Sequence, residues 1–193
     1  MCFTEPSSLK VFTTVLGGYV NSGSYTRYVE GFGLTGNEWV LEHGSGSGRI
    51  TRHIAGRLAL GGGHLTCVDI STVWMDVVKK RLKRYANVDF KLGDIASLDI
   101  PDDAYDVVVV HFVLHHVDAR QEYVNILSRK LKKSGRLFIR DPVRKEHDTP
   151  VDEIRQLMAN AGLLERAFQM EESFHMGPRY SGVFVKDYRY LES

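Results

Sequence analysis

The chain has 193 residues, enough for one domain with a real core, and is 43% hydrophobic and 25% charged, as ordinary soluble globular proteins are. Its 25 basic and 24 acidic residues leave a formal net charge of +1, which provides no general attraction for nucleic acid or anionic membrane. Two cysteines do not make a disulfide framework: Cys2 stands at the start and Cys67 in an apolar run, so a reducing cytoplasm suits them. Met1 to Lys10 lacks a charged start followed by an apolar core, and no apolar run approaches a membrane span, so neither a signal peptide nor a membrane partner is expected.

In chain order, Met1 to Gly23 is rich in Gly, Ser and Thr with weak periodicity and reads as a mobile arm or lid. Ser24 is a candidate cap for a short helix through Phe32. The expected division is residues 1–37 as N-terminal arm and helix and 38–193 as the main domain. Within the latter, short apolar runs predict strands at Trp39 to His43, His64 to Asp69, Val88 to Lys91, Tyr105 to His111 and Arg136 to Arg140. Amphipathic segments between and after them predict helices at Arg49 to Leu58, Thr72 to Tyr85, Arg120 to Leu131 and Val151 to Ala161. Val107 to Val110 is apolar at every residue, the pattern of a strand covered on both faces. This alternation predicts a doubly wound, mostly parallel sheet with right-handed crossovers. Leu163 to Glu171 and Ser181 to Lys186, separated by the Gly177-Pro178 turn, add an antiparallel hairpin and bring the strands to seven.

The first strand opens into Gly44-Ser45-Gly46-Ser47-Gly48 and then a helix. Arg49 takes the place of the third glycine of the dinucleotide fingerprint, and the Gly-Lys-Ser/Thr ending of a P-loop is missing, so pyrophosphate and triphosphate signatures are both absent. At the end of the second strand, Asp69 either accepts from the two hydroxyls of a ribose or caps the next helix; Ser71 can cap it instead. After the third strand, Asp94 either accepts from the exocyclic amine of an adenine, with Ile95 facing the ring, or is a turn aspartate.

The runs Glu42 to Gly48, Asp69-Ile70-Ser71, Gly93-Asp94-Ile95 and Pro101 to Val108 resemble the class I S-adenosylmethionine-dependent methyltransferases, in particular the small type 11 branch. Phe112 to Val117 and Leu131 to Leu137 resemble the same branch. The likeness implies a Rossmann-like fold and S-adenosylmethionine as cofactor. It implies a cofactor site of Glu42, Gly44, Ser45, Gly46, Gly48, Asp69, Ile70, Asp94 and Ile95, with Glu42 and the glycine loop facing the methionine part. Trp74 would pack either on the adenine or in the core. Four positions depart from the family pattern: Glu42 for the usual Asp, His43 for an apolar residue, Ser45 for a frequent Cys and His111 for a frequent small polar residue. No metal site is assigned.

A methyl on a sulfonium moves by in-line displacement, so an enzyme of this kind chiefly aligns the partners and excludes water, with a base only where the acceptor must lose a proton. His111, closing the fourth strand, is the leading candidate base; its alternative is a polar plug. His115 and His116 read as structural, one capping the turn and one facing solvent. Asp141, Arg144 and His147 follow the fifth strand and either overlook the pocket or form a solvated loop. Tyr19, Tyr25 and Tyr28 either fold over the site or pack as ordinary aromatics. Only Pro142 to Pro150 follows the fifth strand, where some relatives carry an insertion that caps a small-molecule pocket; with the N-terminal arm as the lid instead, a small-molecule acceptor is favoured. A protein acceptor and a non-catalytic cofactor-binding module are the alternatives. Nucleic acid is disfavoured, since His111-Phe112-Val113-Leu114 stands where base-amine methyltransferases have a run like Asn-Pro-Pro-Tyr. A nicotinamide or nucleotide-sugar enzyme is disfavoured by the glycine spacing and the terminal hairpin.

Overall fold

Apolar runs closed by glycines decide where the strands lie. The computed structural model describes residues 4–20, 22–143, 150–173 and 177–187. They divide between two units, Cys2–Leu98 and Asp99–Ser193.

The first unit begins with α1 (Ser8–Val20) and α2 (Ser22–Glu30). The stretch expected as a mobile arm or lid thus carries a helix over Ser8–Val20. Strands β1 (Trp39–His43), β2 (His64–Asp69) and β3 (Val88–Leu92) alternate with helices α3 (Thr51–Leu58) and α4 (Thr72–Leu82). The strands pair in parallel in the order β3-β2-β1, with Glu42 beside Cys67 and Asp69 beside Leu92. Val40, Leu41, Leu65, Cys67 and Val68 from the strands are fully buried, as are Ile54, Ala55, Leu58 and Val78 from the helices. Burial of such apolar side chains is the main favourable term of the fold, roughly 1.5–3 kcal/mol for a large one.

The second unit contains β4 (Tyr105–His111), a 3₁₀ turn (Leu114–His116), α5 (Arg120–Lys130), β5 (Leu131–Pro142), α6 (Val151–Asn160), β6 (Leu163–Ser173) and β7 (Gly177–Lys186). Val107 to Val110 are each fully buried, as their unbroken apolar run requires. β4 and β5 are parallel, with His111 opposite Arg140. The terminal hairpin is antiparallel, and β7 inserts between β5 and β6, giving the order β4-β5-β7-β6. β5 begins five residues before its apolar run because Leu131 pairs with Tyr105 ahead of a kink at Ser134, whose φ is 61°. Among the described residues no helix is long and apolar enough to cross a membrane.

Candidate functional site

The glycine loop leaves β1 through three residues with positive φ, Gly44 (76°), Gly46 (49°) and Gly48 (70°), a region that side chains other than glycine rarely adopt. Its end is also sterically confined: a Cβ on Gly48 would lie 2.8 Å from Cγ2 of Val78 on α4. The loop is held to the end of β2. The Gly44 N–H donates to the Val68 carbonyl at 2.8 Å, and the Gly46 N–H donates to Oδ2 of Asp69 at 2.7 Å.

Asp69 is nearly buried and also accepts from the Ser71 N–H at 2.9 Å. Desolvation raises its pKa despite these backbone donors. The cap of α4 is Ser71, whose hydroxyl accepts from the Trp74 N–H at 3.0 Å, so Asp69 does not serve as the helix cap. Trp74 itself is half-buried. Ile70, next to Asp69, and Leu92, its neighbour on β3, are each 44% exposed. Two large apolar side chains thus stand open at adjoining strand ends.

Glu42 is completely buried one residue before the end of β1. Thr51, at the start of α3, donates to its Oε1 at 3.0 Å, whereas Oε2 has no partner among the described residues. Burial pushes the carboxyl up to about 8, and the neighbouring Asp69 adds to the rise. The Ser45 hydroxyl is likewise buried and unpartnered. Buried polar atoms without partners are costly and rare, and here two of them adjoin one glycine loop. Each can accept a hydrogen bond from an ammonium. Burial also drives His43 down to about 4, against the opposing pull of Asp94.

Asp94 is exposed and its Oδ1 accepts from the Ala96 N–H at 2.9 Å, so it builds a turn. Ile95 is packed into the core at 3% exposure rather than standing open to a ligand; the exposed apolar residue beside Asp69 is Ile70.

The N-terminal helix is tied to this unit. Glu5 accepts from the Thr72 N–H at 2.8 Å, the Thr72 hydroxyl at 2.7 Å and the Ser71 hydroxyl. Arg49 donates to the Tyr25 hydroxyl at 2.6 Å and to the carbonyl of Thr14. Tyr25 is buried, and Tyr28 packs edge-on against Phe32. The side chain of Tyr19 lies outside the described residues.

In the second unit, His111 is half-buried with its ring 4.3 Å from that of Phe112. Phe112 has a φ of 60°, and its N–H donates to the Arg140 carbonyl at 2.8 Å. Such a conformation in a bulky residue costs roughly 1–3 kcal/mol and persists only where its surroundings enforce it. The turn that follows brings His115 to Asp141, at the end of β5. Sequence reasoning missed this pairing, which joins residues 26 apart. Arg144 and His147 lie outside the described residues.

The pattern of residues 41–139, slightly more than half of the chain, matches the family model described as a methyltransferase domain. The chain belongs to the methyltransferase domain family. A demethylmenaquinone methyltransferase of Tropheryma whipplei (strain Twist) is 33% identical over 107 residues, which make up 55% of this chain and 43% of that protein. A ubiquinone/menaquinone biosynthesis C-methyltransferase of Proteus mirabilis is 28% identical over 174 residues, covering 86% of this chain and 63% of that one. The chain thus spans less than two thirds of these relatives. Among solved structures, a SAM-dependent methyltransferase from Aquifex aeolicus aligns over 84% of this chain and 89% of its own with a TM-score of 0.68 and 17% identity. The [4+2]-cyclase SpnF aligns over 84% and 79% with a TM-score of 0.72 and 16% identity. These likenesses show the fold: Rossmann-like α/β, mostly parallel, with an antiparallel end. That a cyclase shares it means that the fold of this methyltransferase domain does not by itself fix an activity.

Proposed function

We propose that the chain binds S-adenosylmethionine and transfers its methyl group to a small-molecule acceptor. The observation that carries this reading is the buried, half-partnered carboxyl of Glu42 behind a glycine loop whose backbone is bound to Asp69. In this reading Glu42 and Ser45 hold the methionine end, the backbone of Gly44, Gly46 and Gly48 lies against it, Asp69 holds the ribose, and Ile70 covers the base, with Asp94 beside it. The bound cofactor supplies an electrophilic methyl on a sulfonium; the chain supplies alignment and exclusion of water. The names of the relatives make reduced demethylmenaquinone the first acceptor to test. The free thiol of Cys67 fits a reducing compartment, and we place the protein in the cytoplasm.

Calorimetric titration with S-adenosylmethionine and S-adenosylhomocysteine tests the cofactor. Binding to the intact protein that is lost in Asp69→Ala is the expected result, and no binding to the intact protein overturns it. Transfer of labelled methyl to reduced demethylmenaquinone then tests the acceptor.

A further inference from the structure

The segment that carries α1 is fastened at two points to the first unit, both at the carboxyl ends of β1 and β2, the edge at which open α/β sheets bind ligands. At one point, Glu5 lies on the start of α4. The Thr72 N–H and hydroxyl donate to its Oε1 at 2.8 and 2.7 Å, and the Ser71 hydroxyl donates to its Oε2. At the other, the Thr14 carbonyl accepts from Nη2 of Arg49, whose Nη1 donates to the hydroxyl of Tyr25 at 2.6 Å. Ser71 and Thr72 follow Asp69, and Arg49 follows Gly48. The segment therefore runs from the start of α4 to that of α3, with one tie beside each element assigned above to the cofactor. The two ties differ in kind. The Arg49 guanidinium also sits over the ring of Tyr25 at 5.5 Å, and Tyr25 is 5% exposed, so this end is rooted in the core. Glu5 is exposed and holds only neutral donors, of which the Ser71 hydroxyl does most to lower its pKa. α4 has no acid in its own first turn, so the negative charge that favours a helix N-terminus comes from Glu5, 67 positions before Thr72. Ser71 links the parts: its N–H donates to Asp69, while its hydroxyl donates to Glu5 and accepts from the Trp74 N–H.

From this geometry we infer that α1 is a lid on the cofactor edge, with Glu5 as its latch and the Arg49–Tyr25 pair as its pivot. The inference rests on the cofactor reading above. A ligand bound for Asp69 and the glycine loop passes the helix, so both entry and departure wait for the Glu5 end to let go. That end is the one to open: its three hydrogen bonds are exchanged for bonds to water, each at a small net cost, whereas the other end is held by a buried tyrosine. The latch acts on the passage and makes no contact with the bound ligand. It therefore slows association and dissociation alike and leaves the affinity as it is.

Rates of S-adenosylhomocysteine binding and release, followed by surface plasmon resonance, test this in the full chain. Glu5→Ala is expected to raise both rate constants about tenfold, the worth of one or two net hydrogen bonds, with Kd within about twofold of the wild type. Glu5→Gln keeps one acceptor oxygen and should give a smaller rise in both. Thr72→Val removes one donor on the other side of the latch. It should act in the same direction alone and add nothing in the Glu5→Ala background, because the two residues share one interaction. If Glu5→Ala does not fold, Glu5→Gln and Thr72→Val carry the test. Rates unchanged in a less stable variant would assign Glu5 to the capping of α4 alone and overturn the latch. A raised Kd with association unchanged would set Glu5 against the ligand itself and overturn it as well, as would additive effects of the two substitutions. Absence of S-adenosylhomocysteine binding by the intact protein overturns the cofactor reading and the latch with it.

Discussion

Thr51 donates to Glu42 Oε1 at 3.0 Å, and this single hydrogen bond is the only one made by the carboxyl among the described residues. Burial outweighs it and lifts the group from 4.5 to about 8. The folded protein therefore holds a proton on Glu42 that the unfolded chain releases above pH 4.5. The contribution of the neutral carboxyl to stability is complete below pH 4.5 and declines as pH rises toward 8, by about 1.4 kcal/mol per pH unit for one proton. Glu42→Gln keeps the neutral shape without the titration. Urea unfolding at pH 5 and pH 8 should show the variant gaining on the wild type at the higher pH. A wild-type-minus-Gln difference that stays constant between the two pH values would remove the claim that Glu42 folds protonated.

The same carboxyl should report on ligand binding. An ammonium or sulfonium placed near Oε2 favours the ionised form. Binding of S-adenosylmethionine at pH 7 is then expected to release a proton, so the calorimetric heat will differ between phosphate and Tris buffers in proportion to their ionisation enthalpies. Glu42→Gln should bind with heats independent of buffer. Equal heats for the intact protein in both buffers would count against Glu42 facing the cationic end of the ligand.

The sequence carries β1, β2 and β4 to the residue, since each is an apolar run whose ends are marked by glycine or by a polar residue. It does not carry α1. Thr13, Thr14, Gly17 and Gly18 weaken local helix propensity, and what holds the segment in place is long-range: Glu5 on Ser71 and Thr72, and Arg49 on the Thr14 carbonyl. Arg49, in sequence only a missing glycine, proves to be a tether. That Asp69 is not the cap of α4 becomes visible only in the structure, where Ser71 fills that place. His115 and Asp141 carry no shared sequence signal, because their meeting depends on strand register and on one left-handed Phe112.

Substitutions in the glycine loop should separate packing from binding. At Gly48 an added Cβ meets Val78 at 2.8 Å and the φ of 70° strains it further. Gly48→Ala should destabilise the protein by about 1–3 kcal/mol. At Gly46 the nearest atom to an added Cβ is the Gly44 carbonyl at 3.9 Å, so there the cost is conformational. Gly46→Ala should cost about 1 kcal/mol of stability and a larger share of cofactor affinity, since its N–H orients Asp69. Chemical denaturation read beside cofactor titration separates the two, and equal losses of stability would show that α4 yields to the added methyl.

Glu171 supplies the opposite titration. Burial raises its pKa, but donors from Arg140, Ser181 and Arg179 prevail and hold it at about 2. Arg140 Nη2 donates to both carboxylate oxygens at 2.6 and 2.7 Å, and its Nε donates to the Ser181 hydroxyl at 2.9 Å. A depressed carboxyl stabilises the fold fully above its unfolded value of 4.5, and the contribution is lost as pH falls toward 2. At neutral pH, Glu171→Gln removes the carboxylate that Arg140 and Arg179 share, and breaking a buried pair on one side costs about 3–5 kcal/mol. Removing Arg140 as well, as in Arg140→Met with Glu171→Leu, should recover part of that loss, since Arg179 then remains as a cation without this carboxylate. Unfolding of the single and double variants at pH 7, with the single repeated at pH 3, measures both effects. A Glu171→Gln protein within about 1 kcal/mol of the wild type would mean that the Arg179 and Ser181 contacts suffice and that Arg140 finds its compensation elsewhere.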